Sequence, residues 1–200
     1  MPTLCRDFQG FWSVSVKIII KAVPERSEYI EYLRSNLPEA VFCMDEKNCA
    51  FDTFLRSLDL AGDSPCIHME EDIILTRGFI QKAETAISRK PMNFIQFFSM
   101  RKKDESEGSR WDNNFLMNQC FYAPPMYSKQ MKEFYPSWAR KYLKEHPNGT
   151  DLMVQHFLKA KKERYWIHCP SLVQHRVAKS VINPRRSSKR QSMTFQDPIE

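Results

Sequence analysis

The residues best suited to chemistry in this chain are three consecutive acids, Glu70-Glu71-Asp72, which lie between two apolar stretches. The preceding residues, 65–69, have the character of a strand, and the following Ile73-Ile74-Leu75 is a second apolar stretch. Carboxylates this close repel one another unless a cation or a basic side chain offsets their charge. Mg²⁺ and Mn²⁺ bind through few carboxylates and complete their shell with phosphate oxygens. The motif therefore predicts a divalent-cation site, and the alternative is a solvated acidic turn.

Alternation along an extended chain assigns the three acids to two sides. It places Glu70 and Asp72 together, as a pair for one metal ion, and turns Glu71 the other way. A later segment, Leu172-Val173-Gln174-His175-Arg176, adds an imidazole, which binds metals when neutral, and a guanidinium, which binds phosphate. We expect His175 and Arg176 on the phosphate side of the same site. The alternative for His175 is an ordinary polar residue.

Strands and helices alternate along the chain and must position these residues. Strand-like segments are expected at 16–23, 40–44, 65–69, 93–98, 116–122 and 165–168. Helical spacing is expected at 25–37, 51–58, 79–87, 124–143 with a break at Pro136, and 152–162. The charged segment 101–114 is expected to be a mobile loop. This order predicts an α/β fold, a single Rossmann-like domain with a mainly parallel central sheet flanked by helices, whose ligands bind beyond the carboxyl ends of the strands.

Charge is unevenly distributed along the 200 residues, which include 30 basic and 24 acidic side chains. Residues 159–190 contain ten of the basic side chains and one acid, so the remainder is slightly acidic. The C-terminal end is therefore expected to be an irregular basic tail that binds an anion. The anion is either the diphosphate of a nucleotide or the backbone of a nucleic acid, and the alternative is a solvated segment.

Several protein classes are disfavoured by the sequence. Its apolar runs are shorter than a membrane span, and residues 1–15 lack the pattern of a secretory signal, so they are expected to form an N-terminal arm. The six cysteines form no CxxC pair, which disfavours a zinc knuckle and indicates reduced thiols. We expect a cytoplasmic protein without a membrane span.

Taken together, the motifs resemble small GT-A-type glycosyltransferases, which use nucleotide-sugar donors. The resemblance spans roughly residues 16–195. Its segments are Val16–Val23 with Pro24-Glu25-Arg26, Met44-Asp45, the acidic motif at 68–73, the "P-x-LVQH" segment at 169–176, and the ending at 187–195. Glu-Glu-Asp replaces the Asp-x-Asp motif of that family. The resemblance implies a GT-A-like domain at 16–183, preceded by the arm and followed by the tail at 184–200.

The resemblance also implies roles for individual residues and a cofactor. The donor would be a nucleotide-sugar, with a UDP-sugar expected, and the metal would be Mn²⁺ or Mg²⁺. Glu70, Asp72 and His175 would bind the metal. The donor would be held by Arg26, Asp45, Glu71, Arg176 and Lys179. Asp151 would be the general base, with Asp112 as a second candidate; the alternative for Asp151 is a helix N-cap.

The acceptor is the least determined part of this prediction. Some similar enzymes of bacteriophages glycosylate hydroxylated or hydroxymethylated pyrimidines, so the resemblance implies duplex DNA bound through the basic C-terminal end. One rival function is glycosyl transfer to a surface or lipid-linked glycan. The other is a non-enzymatic nucleic-acid-binding module with a basic arm. Whether transfer inverts or retains stereochemistry stays open.

Overall fold

The structure, a computed structural model, describes residues 16–177 and 190–199. The expected N-terminal arm at 1–15, the donor-binding candidate Lys179 and the tail residues 184–189 and 200 lie outside the described residues.

Nine strands and six helices are described. The strands are β1 (Lys17–Ala22), β2 (Val41–Met44), β3 (Cys66–Glu70), β4 (Ile73–Leu75), β5 (Ile95–Gln96), β6 (Arg110–Asp112), β7 (Cys120–Ala123), β8 (Tyr165–Ile167) and β9 (Val173–His175). The helices are α1 (Ser27–Asn36), α2 (Ala50–Ala61), α3 (Phe79–Arg89), α4 (Asp104–Glu107), α5 (Tyr127–Tyr142) and α6 (Thr150–Ala160), and a 3-10 turn at Pro24–Arg26 precedes α1.

Seven strands form one twisted sheet in the order β2-β1-β3-β7-β5-β8-β6. The pairs β1–β2, β1–β3 and β5–β8 are parallel, whereas β7 runs antiparallel to both of its neighbours and β6 runs antiparallel to β8. Neighbouring residues Ile19 and Ile20 are both fully buried, as expected for a strand covered on both faces. The predicted α/β class, with helices flanking a mostly parallel sheet, is confirmed.

Each face of the sheet is covered by its own apolar core. Alternate residues along β1 and β3, such as Ile20 and Ile67, face a core that includes Leu33 of α1 and Phe79 of α3. The opposite face packs against α2, α5 and α6, where Trp138 is among the buried side chains. The helices α1 and α2 therefore lie on opposite faces, so the connections that follow β1 and β2 depart to opposite sides of the sheet.

A second, two-stranded sheet was not expected from the sequence. In it, β4 pairs antiparallel with β9, and Ile73 lies opposite His175. The described end of the chain adds to this region, since Ile199 N–H donates to the Leu75 carbonyl and Thr76 bridges to Pro198. Residues 190–199 contain no helix or named strand, and they lie against the domain.

Two local predictions are wrong. The segment 101–114 is not simply a loop, because β6 pairs with β8 and Asp104 is buried in an ion pair with Arg110. The helix α5 also continues through Pro136 instead of breaking there. Proline removes a helical hydrogen bond, but Met131 and Trp138 on either side are buried, and that packing outweighs the loss.

Within the described ranges, no helix is both long and apolar enough to cross a lipid bilayer.

Candidate functional site

A cavity of about 430 Å³ opens at the carboxyl ends of β1, β2 and β3. This is the position where chain connections diverge to opposite faces, and α/β sheets bind ligands there. Its volume falls within the range of small-molecule sites. The charged side chains that line it are Lys21, Arg26, Asp45, Glu70, Glu71, Asp72, Asp151 and Arg190.

The acidic motif is organised around Arg26. One guanidinium nitrogen, Nη1, lies 2.7 Å from Glu71 Oε1 and 2.7 Å from Asp72 Oδ2. The prediction that Glu71 faces away from Asp72 is therefore wrong, whereas all three acids line the cavity. The strand β3 ends at Glu70 and the chain bends before β4, so strict alternation does not continue through the motif.

The two buried carboxyl groups beside Arg26 have pKa values shifted in opposite directions. Burial, reinforced by the charge of Asp72, raises the pKa of Glu71 to about 7. Burial also opposes ionisation of Asp72, but the Arg26 guanidinium, whose Nη1 lies 2.7 Å from Oδ2, helps to outweigh burial, and the pKa of Asp72 is lowered overall. Asp72 is consequently the permanent negative charge of the pair.

His175 reaches this centre through the small sheet. Because Ile73 and His175 are opposite each other in β4 and β9, the imidazole lies beside Asp72, with Nε2 3.3 Å from Oδ2. Its Nδ1–H donates to the Arg176 carbonyl at 2.6 Å, which leaves the Nε2 lone pair facing the carboxylate. Arg190 Nη2 lies 2.6 Å from that same Nε2 and donates to it.

These groups suit a divalent cation that is shared with a substrate. Asp72 Oδ1 is buried and accepts no hydrogen bond from the described residues, and a nearby imidazole presents a second lone pair. A backbone carbonyl orients that imidazole, as is usual for metal-binding histidines. Among the described residues, no group of three or more His, Cys, Asp or Glu side chains is arranged to hold a metal. The residues therefore fit a metal whose remaining ligands are substrate phosphates and water.

The neighbouring wall contains two further acids, each with its own partners. Glu70 lies opposite Lys21 in the sheet register, and Lys21 Nζ is 3.5 Å from Glu70 Oε1. Asp45 follows β2, and its Oδ1 accepts hydrogen bonds from the Lys47 and Cys49 N–H groups. These two backbone contacts hold the Asp45 carboxylate at the cavity wall.

Asp151 lies on the opposite wall, in the first turn of α6. The predicted N-cap role is wrong, because α6 begins at Thr150 and Gly149 occupies the cap position. A side chain at Gly149 would crowd His146, since an added Cβ would lie 3.0 Å from the His146 Cβ. The tight turn of residues 146–149 thereby places Asp151 at the cavity.

Three candidates do not line the cavity in the described structure: His175, which is fully buried beside Asp72, and Asp112 and Arg176. Asp112 lies on the edge strand β6, ion-paired with Arg101. Burial opposes its ionisation, but the Asn114 N–H and Arg101 lower its pKa overall, which makes it a weaker base. Arg176 stacks on Tyr29 and Tyr32 with its guanidinium carbon 4.7 Å from each ring centre, and it also donates to the Ile73 carbonyl.

Sequence reasoning missed several residues that line the cavity, among them Lys21, Asn118, His146 and Arg190. A lysine at the end of an apolar strand is a recognisable signal, and Lys21 has it. Asn118 was not recognisable, because its hydrogen bond to Thr150 joins distant segments. Arg190 was one of ten bases in its region, and its local sequence did not distinguish it from the others.

No protein-family model matches this chain. No curated protein matches it either.

The charges that line the cavity determine which ligands it favours. Five carboxyl groups and three basic side chains line the cavity, so an anion alone would meet a net negative wall. A cation, or an anion that brings a cation with it, would be favoured. At the opposite wall, Asp151 is placed to accept a proton from a second substrate.

Proposed function

We propose that this protein is a metal-dependent glycosyltransferase that moves a sugar from a nucleotide-sugar donor to a hydroxyl acceptor. The observation that supports this most directly is the contact between Asp72, which lines the cavity after the end of β3, and the buried imidazole of His175, which comes from a distant segment. The proposal agrees with the GT-A-type resemblance of the sequence, and a UDP-sugar is the expected donor.

Each end of the cavity has a role in this proposal. Asp45, held by the N–H groups after β2, contacts the nucleoside, and Arg26 contacts the diphosphate. Asp72 and His175 hold Mn²⁺ or Mg²⁺. When bound, the metal offsets the negative charge that develops on the leaving diphosphate.

The transfer step uses Asp151 as the general base. Asp151 accepts the proton of the acceptor hydroxyl while its oxygen forms a bond to the anomeric carbon. The bond between that carbon and the diphosphate oxygen breaks, and the diphosphate keeps the electron pair. Arg26, already next to the acidic motif, is placed to pair with the departing charge.

The direct test is a donor-hydrolysis screen with nucleotide-sugars, run with and without Mn²⁺. We expect release of the nucleoside diphosphate from at least one donor, most strongly from a UDP-sugar, and loss of that release in EDTA. A protein that binds neither UDP nor Mn²⁺ in calorimetry would refute the proposal and favour the non-enzymatic nucleic-acid-binding module.

A hydroxylated or hydroxymethylated pyrimidine in DNA stays the predicted acceptor. The fold divides the basic C-terminal run, since Lys159 lies at the far end of α6 from the cavity whereas Arg190 lies in the cavity wall. The described bases of the run therefore lie in separate parts of the domain. Any DNA contact near the site would depend on the bases at 179–190, and a glycan acceptor is the outcome expected if they do not contribute.

A further inference from the structure

Arg190 contacts one of the proposed metal ligands, His175, as Arg26 contacts the other, Asp72. Arg190 Nη2 lies 2.6 Å from His175 Nε2, and that nitrogen is itself 3.3 Å from Asp72 Oδ2. The imidazole Nδ1–H is already used by the Arg176 carbonyl, so Nε2 accepts the Arg190 hydrogen bond through its lone pair. A metal ion would need this same lone pair.

The Arg190 guanidinium also offsets an electrostatic repulsion between His175 and Asp72. The Nε2 lone pair and the ionised Asp72 carboxylate face each other and repel unless positive charge lies near both. Arg190 supplies that charge, as a divalent cation would. The two cannot occupy the position together, because like charges at such short range repel strongly in a buried site.

Arg190 is held near this position by the segment that follows it. Ser192 donates to the Ser171 hydroxyl, and its N–H donates to Gln174 Oε1. Further along, Ile199 pairs with Leu75. These contacts leave the long arginine side chain as the part that can exchange partners while the backbone stays in place.

We infer that Arg190 acts as an internal substitute for the metal. In the metal-free protein, Arg190 donates to the lone pair of His175. Once the cation displaces it, Arg190 binds the donor diphosphate. This inference rests on the proposed function for its donor. It assigns one side chain two successive partners: the buried imidazole of His175 beside Asp72, and a diphosphate in the cavity that Arg190 lines. A guanidinium released beside a metal-bound diphosphate finds a bidentate acceptor there.

The test compares the wild-type protein with Arg190→Gln in calorimetric titrations. The first titration uses MnCl₂ alone, and we expect the variant to bind Mn²⁺ more tightly, on the order of tenfold, because the competing hydrogen bond is gone. The second titration uses UDP with Mn²⁺ at saturation, and we expect the variant to bind UDP more weakly by a similar factor. These opposite changes distinguish the inference from simple damage to the site.

Arg77→Gln is the matched control. It removes an exposed arginine that pairs with Asp197 of the same C-terminal segment, so it should change neither affinity. A second readout is the Arg190 side-chain N–H signal in NMR, which we expect to shift when Mg²⁺ is added without donor.

Three outcomes overturn the inference. Equal Mn²⁺ affinity in wild type and Arg190→Gln, with metal-dependent transfer intact, overturns the role of Arg190 alone. An Arg190 signal that does not move with Mg²⁺ does the same. Absence of Mn²⁺ binding in both proteins overturns the inference together with the metal site of the proposed function.

Discussion

His175 Nε2 lies 3.3 Å from Asp72 Oδ2 because β9 pairs with β4, which brings the last described strand beside the acidic motif. The Arg176 N–H strengthens this junction by donating to the Asp72 carbonyl at 2.8 Å. A two-stranded sheet outside the main one thus completes a site that begins at the end of β3. The chemistry at the cavity depends on this small sheet as much as on the large one.

Replacing Asp72 by Asn should abolish metal-dependent activity. The substitution keeps the shape of the side chain but removes the negative charge that attracts the cation. We expect donor turnover to fall by about 100-fold or more, since even residues that only orient metal ligands cost 10–100-fold when changed. Mn²⁺ calorimetry and release of the nucleoside diphosphate measure the two effects.

Asp112→Asn is the matched control for that substitution. Asp112 is also a buried carboxylate paired with an arginine, but it lies on the edge strand β6 and does not line the cavity. We expect its replacement to lower the melting temperature and to leave turnover per folded molecule within about twofold of wild type. Loss of turnover in Asp112→Asn, with Asp72→Asn still active, would reverse the assignment of the site.

Replacing Asp151 by Asn tests the general base separately from donor binding. The substitution should lower kcat by a factor of about 10² to 10⁴, the usual contribution of a general base, and leave the affinity for UDP unchanged. Asp45→Asn should do the opposite, because Asp45 is assigned to the nucleoside: a weaker UDP affinity with kcat largely retained at saturating donor. A Kd for UDP that changes in Asp151→Asn would place Asp151 on the donor side instead.

Part of this site could be predicted from sequence because its signals are local. Ile19 and Ile20 mark β1 as a strand buried on both faces, and Asp45, a polar residue that directly follows the neighbouring strand β2, lies at the ligand-binding edge. The pairing of Glu71 with Asp72 could not be predicted, because it depends on a bend immediately after β3. The role of Arg190 depends on a contact between distant segments, which leaves no local pattern.

The raised pKa of Glu71 should appear in the pH dependence of stability. Between the ordinary carboxyl pKa and about 7, folded Glu71 keeps a proton that the unfolded chain releases. The free energy of unfolding therefore falls as pH rises through this window, by up to about 1.4 kcal/mol per pH unit for one proton. Glu71→Gln removes this loss, and denaturant unfolding at several pH values between about 5 and 7 measures it.

His68 contributes to the pH dependence of stability with the opposite sign. The His68 side chain is fully buried, and burial lowers its pKa to about 3. At a pH below the ordinary pKa of histidine, the unfolded chain therefore binds a proton that the folded protein does not bind. This contribution increases stability with rising pH, opposite to that of Glu71. We expect the free energy of unfolding of Glu71→Gln, measured relative to that of wild type, to increase between about pH 5 and pH 7. Glu105→Gln, an exposed control, should follow the wild-type profile.

Salt dependence tests the predicted DNA acceptor. Each phosphate contact that a basic residue makes releases counterions, so affinity for duplex DNA should fall steeply with salt, and each lost contact should reduce the logarithmic slope by roughly one. Replacing Arg185, Arg186 and Lys189 by Gln should therefore flatten the slope by up to about three. Fluorescence anisotropy with hydroxymethylated duplex DNA at several salt concentrations measures it. Substitution is preferable to deletion of residues 184–200, because Ser192 and Ile199 are anchored to the domain.

The control for this experiment changes the same amount of charge elsewhere. Lys129, Lys132 and Lys159 are exposed and lie near the start of α5 and the end of α6, whereas the start of α6 lines the cavity, so their joint replacement by Gln should leave the slope unchanged. If both triple variants flattened the salt dependence of DNA affinity equally, net charge alone would drive binding. Neither group of basic residues would then be a specific DNA contact. Absence of DNA binding even at low salt, with donor hydrolysis retained, would contradict the DNA acceptor and favour a glycan, because transfer requires an acceptor that the protein can hold beside Asp151.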